Sequence, residues 1–176
     1  MKTIDSSGVG LPAHHLGEIL VHSAVVTKCD VTAEGDVDAC DGNGWLHTGD
    51  LGYLTETGEI VVCGRLKDVI IVAGRNICPS EIERMAEAVD GVRAGAVVAF
   101  GVTLADGTEE ITVIAETLDD YDEDLHRRVR RQIMGNIFGA IGLSPNVVLV
   151  DRGSIPKTAS GKICHLEAKK MFTEAK

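Results

Sequence analysis

The stretch Gly64-Arg65-Leu66-Lys67-Asp68-Val69-Ile70-Ile71-Val72-Ala73-Gly74-Arg75-Asn76 decides how the chain is divided. A glycine and three charged residues, Arg65, Lys67 and Asp68, lead into the apolar run Val69 to Val72, and a second glycine and arginine close it. A short β-branched run entered from a charged cluster predicts a strand that begins in a polar site. Upstream the sequence consists of short β-type segments; downstream, helical and strand patterns alternate. A change of texture at a charged glycine turn is the mark of a boundary between domains. The expected division is a β-rich piece over residues 1–66 and an α+β domain over 67–176, with a hinge at Lys67-Asp68.

Working upstream, Glu59 to Cys63 and Trp45 to Leu54 read as two strands joined through Thr55-Glu56-Thr57-Gly58, with Gly58 in the left-handed position. Gly17 to His22 reads as a further strand, and Asp5 to Gly8 as a turn. The acidic, glycine-containing segment Thr32 to Asn43 is expected to be a surface loop. These first residues are too few for a secure core of their own.

Working downstream, Pro79 to Val89 predicts a helix. Pro79 suits the first helical position, Glu81 and Glu83 suit the first turn, and Ile82, Met85, Ala86 and Val89 form an apolar stripe. Gly91 marks its stop. Gly95 to Phe100 and Glu110 to Glu116 read as strands around the Ala105-Asp106-Gly107 turn. Asp122 to Phe138 predicts a second helix with the stripe Leu125, Val129, Ile133 and Ile137. Its other face carries His126, Arg127, Arg128, Arg130 and Arg131, balancing the acidic run Asp119 to Asp124. Asn146 to Val150 reads as a strand, and a glycine turn over Thr158 to Lys162 leads into a last helix near Ile163 to Phe172. The order, a ββ-turn, helix, strand, strand, helix, strand and helix, defines an α+β domain: an antiparallel sheet flanked by helices.

Composition excludes several classes. A net charge of −10 argues against nonspecific nucleic-acid binding. No apolar run approaches the roughly 20 residues of a membrane-spanning helix, and Met1 to Gly10 has no basic start followed by an apolar core. The five cysteines are scattered without a Cys-x-x-Cys pair, which predicts reduced thiols in a cytoplasmic protein. No histidine pairs with a cysteine at zinc-finger spacing, so no metal site is expected.

Three patches resemble the adenylate-forming, acyl-activating enzymes: acyl-CoA synthetases, fatty acyl-AMP ligases and the adenylation domains of peptide synthetases. They are Gly44-Trp45-Leu46-His47-Thr48-Gly49-Asp50-Leu51-Gly52, the opening stretch extended through Pro79-Ser80-Glu81-Ile82-Glu83, and Ile155-Pro156-Lys157-Thr158-Ala159-Ser160-Gly161-Lys162-Ile163. Their order and separations make the resemblance specific and extend it over nearly the whole chain. It implies the small C-terminal domain of that fold, preceded by the end of the large N-terminal domain.

The resemblance also implies roles. Asp50 accepts from the ribose hydroxyls of ATP, Arg65 reaches the same nucleotide, and Lys67-Asp68 is the pivot between domains. Gly74, Arg75 and Asn76 form the tip of a loop that meets the thiol acceptor, and Lys162 is the catalytic lysine of adenylation, with Lys157 the nearby lysine for comparison. In such enzymes a carboxylic acid, fatty or other, joins ATP with Mg²⁺; the acyl group then passes to the phosphopantetheine thiol of coenzyme A or a carrier protein. Arg127, Arg128, Arg130 and Arg131 would then face coenzyme A phosphates or an acidic carrier protein. The phosphate loop and the Mg²⁺ ligands belong to sequence that such enzymes carry upstream, so these 176 residues alone are expected to be inactive. Gly-Arg-Asn at 74–76 is similar to the fatty acyl-AMP ligases, whereas Ile77-Cys78 and Glu81 depart from them and leave an acyl-CoA synthetase open. A non-catalytic carrier-protein docking module is the alternative from another class; it has no need of Asp50, Arg65 and Lys162.

Overall fold

The computed structural model describes residues 1–27, 29–32, 35–118 and 122–174. The backbone divides into two compact units, Met1–Lys67 and Asp68–Lys176.

The first unit is built on a four-stranded antiparallel sheet in the order β1-β2-β5-β6: β1 (Lys2–Ile4), β2 (Gly17–Val21), β5 (Leu46–Leu54) and β6 (Ile60–Arg65). Among the described residues, Ile4, Ile19, Leu20 and Leu51 are its buried apolar residues, a small core for the 67 residues of this unit. β6 runs two residues further than its apolar run predicts, so Arg65 ends the strand opposite Asp50. β3 (Cys29–Thr32) and β4 (Gly35–Asp38) pair as a separate two-stranded ribbon. The expected loop over Thr32 to Asn43 is therefore partly strand, and residues 33 and 34 of it lie outside the described residues. β4 carries no buried residue, so its sequence shows none of the in–out alternation that marks a half-buried strand.

The second unit opens with a tight hairpin, β7 (Ile70–Val72) and β8 (Arg75–Ile77). Its two-residue turn, Ala73-Gly74, has φ of 51° and 73°. Positive φ at both positions is the twist that matches a hairpin's strands. Ala73 takes it at a cost that glycine avoids. Of the expected loop tip Gly74-Arg75-Asn76, only Gly74 lies in the turn; Arg75 and Asn76 belong to β8, because the apolar Ile77 pairs with Ile70 and sets the register.

A three-stranded sheet in the order β11-β10-β9 follows: β9 (Val92–Thr103), β10 (Glu109–Thr117) and β11 (Asn146–Val150). β9 and β10 are antiparallel, while β11 joins β10 in parallel. Helix α2 (Glu123–Ile141) carries the chain across a face between those two strands, the crossover that a parallel pair requires. The strand period of two then separates two cores. Val97, Ala99, Ile111, Val113 and Ala115 pack with α1 (Pro79–Glu87), α2 and the β7–β8 hairpin. Val98, Phe100 and Ile114 pack on the other face with Ile155 and with Ala168 of α3 (His165–Glu174). The stripe on α2 is buried at Val129, Ile133 and Ile137.

Helix ends are closed by identifiable groups. Asp122 caps α2 by accepting from the N–H groups of Asp124 (2.9 Å) and Leu125 (3.0 Å). Residues 119–121 of the acidic run lie outside the described residues. At the other end Gly142, at φ 71°, donates its N–H to the Phe138 carbonyl. α1 stops at Glu87, before the expected Val89: Ala88 still donates to the Arg84 carbonyl four residues back, but Val89 turns to the Ala86 carbonyl three residues back. Among the described residues no helix is long and apolar enough to cross a membrane.

Candidate active site

In the first unit, Thr48-Gly49-Asp50 is held in place from β2 and β6. The Thr48 hydroxyl donates to the Ile19 carbonyl (2.7 Å) and accepts from the Asp50 N–H (3.0 Å). The Gly49 N–H points to Glu18 Oε1 (3.3 Å), and Glu18 Oε2 lies 3.1 Å from His47 Nδ1. The register across β5 and β6 pairs Asp50 with Arg65. Arg65 Nε contacts Asp50 Oδ1 at 3.0 Å, and its NH1 donates to the Thr48 carbonyl at 3.0 Å. The guanidinium thus spans the Thr48–Asp50 turn and fixes one carboxylate oxygen. Asp50 Oδ2 has no partner among the described residues, and the carboxylate is 32% exposed. The result is a rigid carboxylate with one oxygen committed and one open to an incoming donor.

Leu66–Asp68 forms a single 3₁₀ turn at the junction of the two units. Lys67 is exposed and Asp68 half-buried.

In the second unit, Lys157 to Ile163 forms a short hairpin closed by a bridge between those two residues. The Thr158 N–H donates to the Lys162 carbonyl (2.8 Å), and the Thr158 hydroxyl accepts from the Lys162 N–H (3.1 Å). Gly161, at φ 83°, makes the reversal. The two lysines of the motif have different surroundings. Lys157 Nζ donates to the Gly95 carbonyl at 2.7 Å. Lys162 is exposed, and its ammonium has no partner among the described residues. α3 begins only at His165, so Lys162 sits on the hairpin ahead of the helix.

Arg75 donates from NH1 to the Ile141 carbonyl (2.6 Å), at the C-terminal, negative end of α2. Gly74 and Asn76 are exposed. The arginines of α2 divide in two. Arg127 pairs with Asp124, and Arg130 Nε donates to the Val147 carbonyl (3.2 Å). Arg128 and Arg131 are exposed without a partner among the described residues. Among the described residues no three His, Cys, Asp or Glu side chains gather as a metal site. A cleft of about 210 Å³ on the α3 face of the sheet is lined by Phe100, Ile114, Val148 and Phe172, among others, and by none of the expected site residues.

Sequence reading missed two polar pairs in the second unit. Glu116 is fully buried near the end of β10. Its Oε2 accepts from Arg93 NH1 (2.6 Å) and its Oε1 from the Ile155 N–H (3.0 Å). Burial pushes its carboxyl up, but the N–H groups of Gly153 and Ile155 and the Arg93 guanidinium outweigh that, leaving it below the usual carboxylate range. Glu83 on α1 meets His165 Nε2 at 2.8 Å and accepts the Ala99 N–H at 3.0 Å. The Glu83 hydrogen bond raises the imidazole above its ordinary value despite burial, and the charges of Glu83 and Asp68 add to the effect. Glu83 is visible in the sequence only as an acidic residue of a helix's first turn.

The chain is similar to known proteins along nearly its whole length. A solved structure from work on fatty acyl-adenylate ligases of E. coli and L. pneumophila superposes with a TM-score of 0.81 over 99% of this chain, at 31% identity, and uses 30% of that chain. A Mycobacterium tuberculosis protein carrying the ligase name Rv1013 is 44% identical over 163 residues, 92% of this chain and 30% of its own length. No family model matches. The chain belongs to the adenylate-forming, acyl-activating enzymes and corresponds to a C-terminal region of them. A more particular relative is the fatty acid–[acyl-carrier-protein] ligase ScoC of Streptomyces coeruleorubidus, 34% identical over 177 aligned residues, 97% of this chain and 32% of that protein. The chain spans about a third of the length of the curated relatives it matches.

Proposed function

We propose that this chain supplies the nucleotide-orienting carboxylate and the adenylation lysine of an ATP-dependent ligase for a fatty or other carboxylic acid. The single observation that carries the reading is the contrast between the two lysines of one hairpin. Lys157 is committed to a carbonyl, whereas Lys162 presents from a tight turn an exposed ammonium without a partner among the described residues. Adenylation brings together two anions, a carboxylate and the α-phosphate of ATP, and charge grows on the phosphate oxygens as pyrophosphate leaves. A flexible ammonium follows that charge. Asp50, through its open oxygen, accepts from the ribose hydroxyls, and Arg65 holds it in place. ATP enters with Mg²⁺, whose ligands lie in other parts of such a ligase. The acceptor is a phosphopantetheine thiol, on coenzyme A or on a carrier protein, meeting the turn at Gly74 beside Arg75 and Asn76. Lys67 and Asp68 act as the hinge between residues 1–66 and 67–176. Five scattered cysteines without a disulfide support a cytoplasmic setting.

The test is a comparison of half-reactions in a complete ligase bearing this sequence. Lys162→Ala is expected to slow acyl-adenylate formation at least about a hundredfold. Transfer from preformed acyl-adenylate to the thiol is expected to stay near wild type, and Lys157→Ala to slow adenylation much less. Normal adenylation by Lys162→Ala, or a larger loss in Lys157→Ala, overturns the assignment.

A further inference from the structure

Glu116 is the one fully buried charged side chain among the described residues. A carboxylate withdrawn from water needs a full set of partners. Its place in β10 follows from strand alternation: it shares the face of Ile114, toward Ile155 and α3. One oxygen is neutralised by Arg93 on the neighbouring strand β9. The other reaches the Gly153–Ile155 segment, where it accepts the Ile155 N–H. Ile155 is itself buried and leads directly into Pro156 and the Lys157–Ile163 hairpin. Lys162 is seven residues from Ile155 in sequence.

The hairpin has two further moorings. On its leading side Lys157 Nζ grips the Gly95 carbonyl, and the Gly95 N–H is itself held by Glu87 (2.8 Å). On its trailing side His165 is bound by Glu83, which also accepts the Ala99 N–H. Two attachments end directly on β9 or β10 and the third reaches β9 through Glu83 of α1, so the loop is referenced to the sheet from both ends. Of the three, only the Glu116 carboxylate is buried, and it binds the backbone itself, which leaves the segment no rotamer freedom to drift.

Building on the reading of Lys162 above, we infer that Glu116 is a positioning residue for adenylation: it fixes the stem from which Lys162 is presented. Glu116 does not touch substrate. Its effect travels through the backbone of residues 153–156 to the hairpin. A displacement of about 1 Å in a catalytic group costs on the order of a hundredfold in rate. Lys162 gains from such a mooring because its own ammonium has no partner among the described residues to hold it.

The experiment is a cycle of four complete ligases bearing this sequence: wild type, Glu116→Gln, Lys162→Ala and the double variant. Gln keeps the shape, but its amide nitrogen turns a donor toward either Arg93 or the Ile155 N–H, so one anchor is lost. Single-turnover acyl-adenylate formation and thioester formation from preformed acyl-adenylate are measured separately, and hydrogen exchange is followed at residues 155–163. Glu116→Gln is expected to slow adenylation about 10- to 100-fold, with thioester formation within about twofold of wild type. Exchange at Ile155 and across the hairpin is expected to accelerate. In the Lys162→Ala background the same substitution is expected to add no further loss, since the group it positions is gone.

A merely structural role gives a different pattern: both half-reactions fall together, or the adenylation loss repeats in full without Lys162. Either outcome overturns the inference, as does an unchanged adenylation rate in a folded Glu116→Gln enzyme. Glu116→Asp retains the charge and draws it back by one methylene from the Ile155 N–H. It carries the same test, with the same expected split, if the Gln variant does not fold. A Lys162→Ala enzyme that adenylates normally removes the reading beneath the inference; a slow Lys162→Ala enzyme with an additive Glu116→Gln loss removes the inference alone.

Discussion

Asp50→Asn separates what a carboxylate does for the fold from what it does for a nucleotide. The Asp50–Arg65 pair is partly solvated, at 32% and 56% exposure. Pairs of that kind contribute up to about 1 kcal/mol to stability. Asn keeps one oxygen for Arg65, and the Asp50 N–H still reaches the Thr48 hydroxyl. Stability from urea unfolding of the chain is therefore expected to fall by less than about 1 kcal/mol. The open oxygen is a different matter. On the proposed reading, Asn places an NH₂ donor there, where the ribose hydroxyls need an acceptor. Two hydroxyl–carboxylate bonds at about 1.5 kcal/mol each amount to roughly 3 kcal/mol, or about a hundredfold in affinity. The assay is ATP-dependent pyrophosphate exchange by a complete ligase, with ATP varied at saturating acid. The ATP Michaelis constant is expected to rise by roughly that factor. An unchanged Michaelis constant, or a loss of several kcal/mol in unfolding that accounts for any activity change, refutes the reasoning and leaves Asp50 only its bonds within the Thr48–Asp50 turn and to Arg65.

Two other predictions concern stability. A methyl group added at Gly52 meets the Val61 carbonyl oxygen of the neighbouring strand at 2.2 Å, so Gly52→Ala is expected to lower unfolding free energy by about 3 kcal/mol or more, read from the urea midpoint. His165 has its folded pKa raised above the ordinary 6.5, so its contribution is complete below that pH and disappears as pH rises through the raised value. Urea midpoints of wild type are expected to decline across that window, and Glu83→Gln to flatten the decline; an unchanged slope in the variant contradicts the linkage.

Much of the fold is legible in the residues. The helical period on Val129, Ile133 and Ile137, with Asp122 before it and Gly142 after it, marks α2. The apolar runs mark β9 to β11, though β9 and β10 prove longer than the runs, because an antiparallel pair continues past its core into Thr103 and Glu109. What escapes is register and long-range pairing. That Arg65 stands opposite Asp50 depends on an irregularity in pairing between Leu51 and Gly52, which no local pattern reveals. Glu116 follows Val-Ile-Ala in a strand and reads as the first exposed residue after a core run. Its burial follows from a backbone N–H 39 residues away. Arg75 reads as a free loop cation, yet its partner is a helix-terminal carbonyl 66 residues on. The resemblance already singles out Lys162 from Lys157, and the structure adds the physical contrast, a tethered Lys157 and an exposed Lys162.

The distance between Glu116 and Ile155 also governs how the second unit assembles. β9 and β10 close as a local hairpin, but at that moment the carboxylate has neither of its backbone donors and stays hydrated at the sheet end. Stripping its water before residues 153–155 arrive would cost several kcal/mol. Docking of β11, the following segment and α3 is thus tied to dehydration of a single charge. Contacts of such sequence separation are slow to form. The chain from β11 onward is expected to join late in refolding, in one cooperative step, and the hairpin bearing Lys162 acquires its shape only when that step is complete.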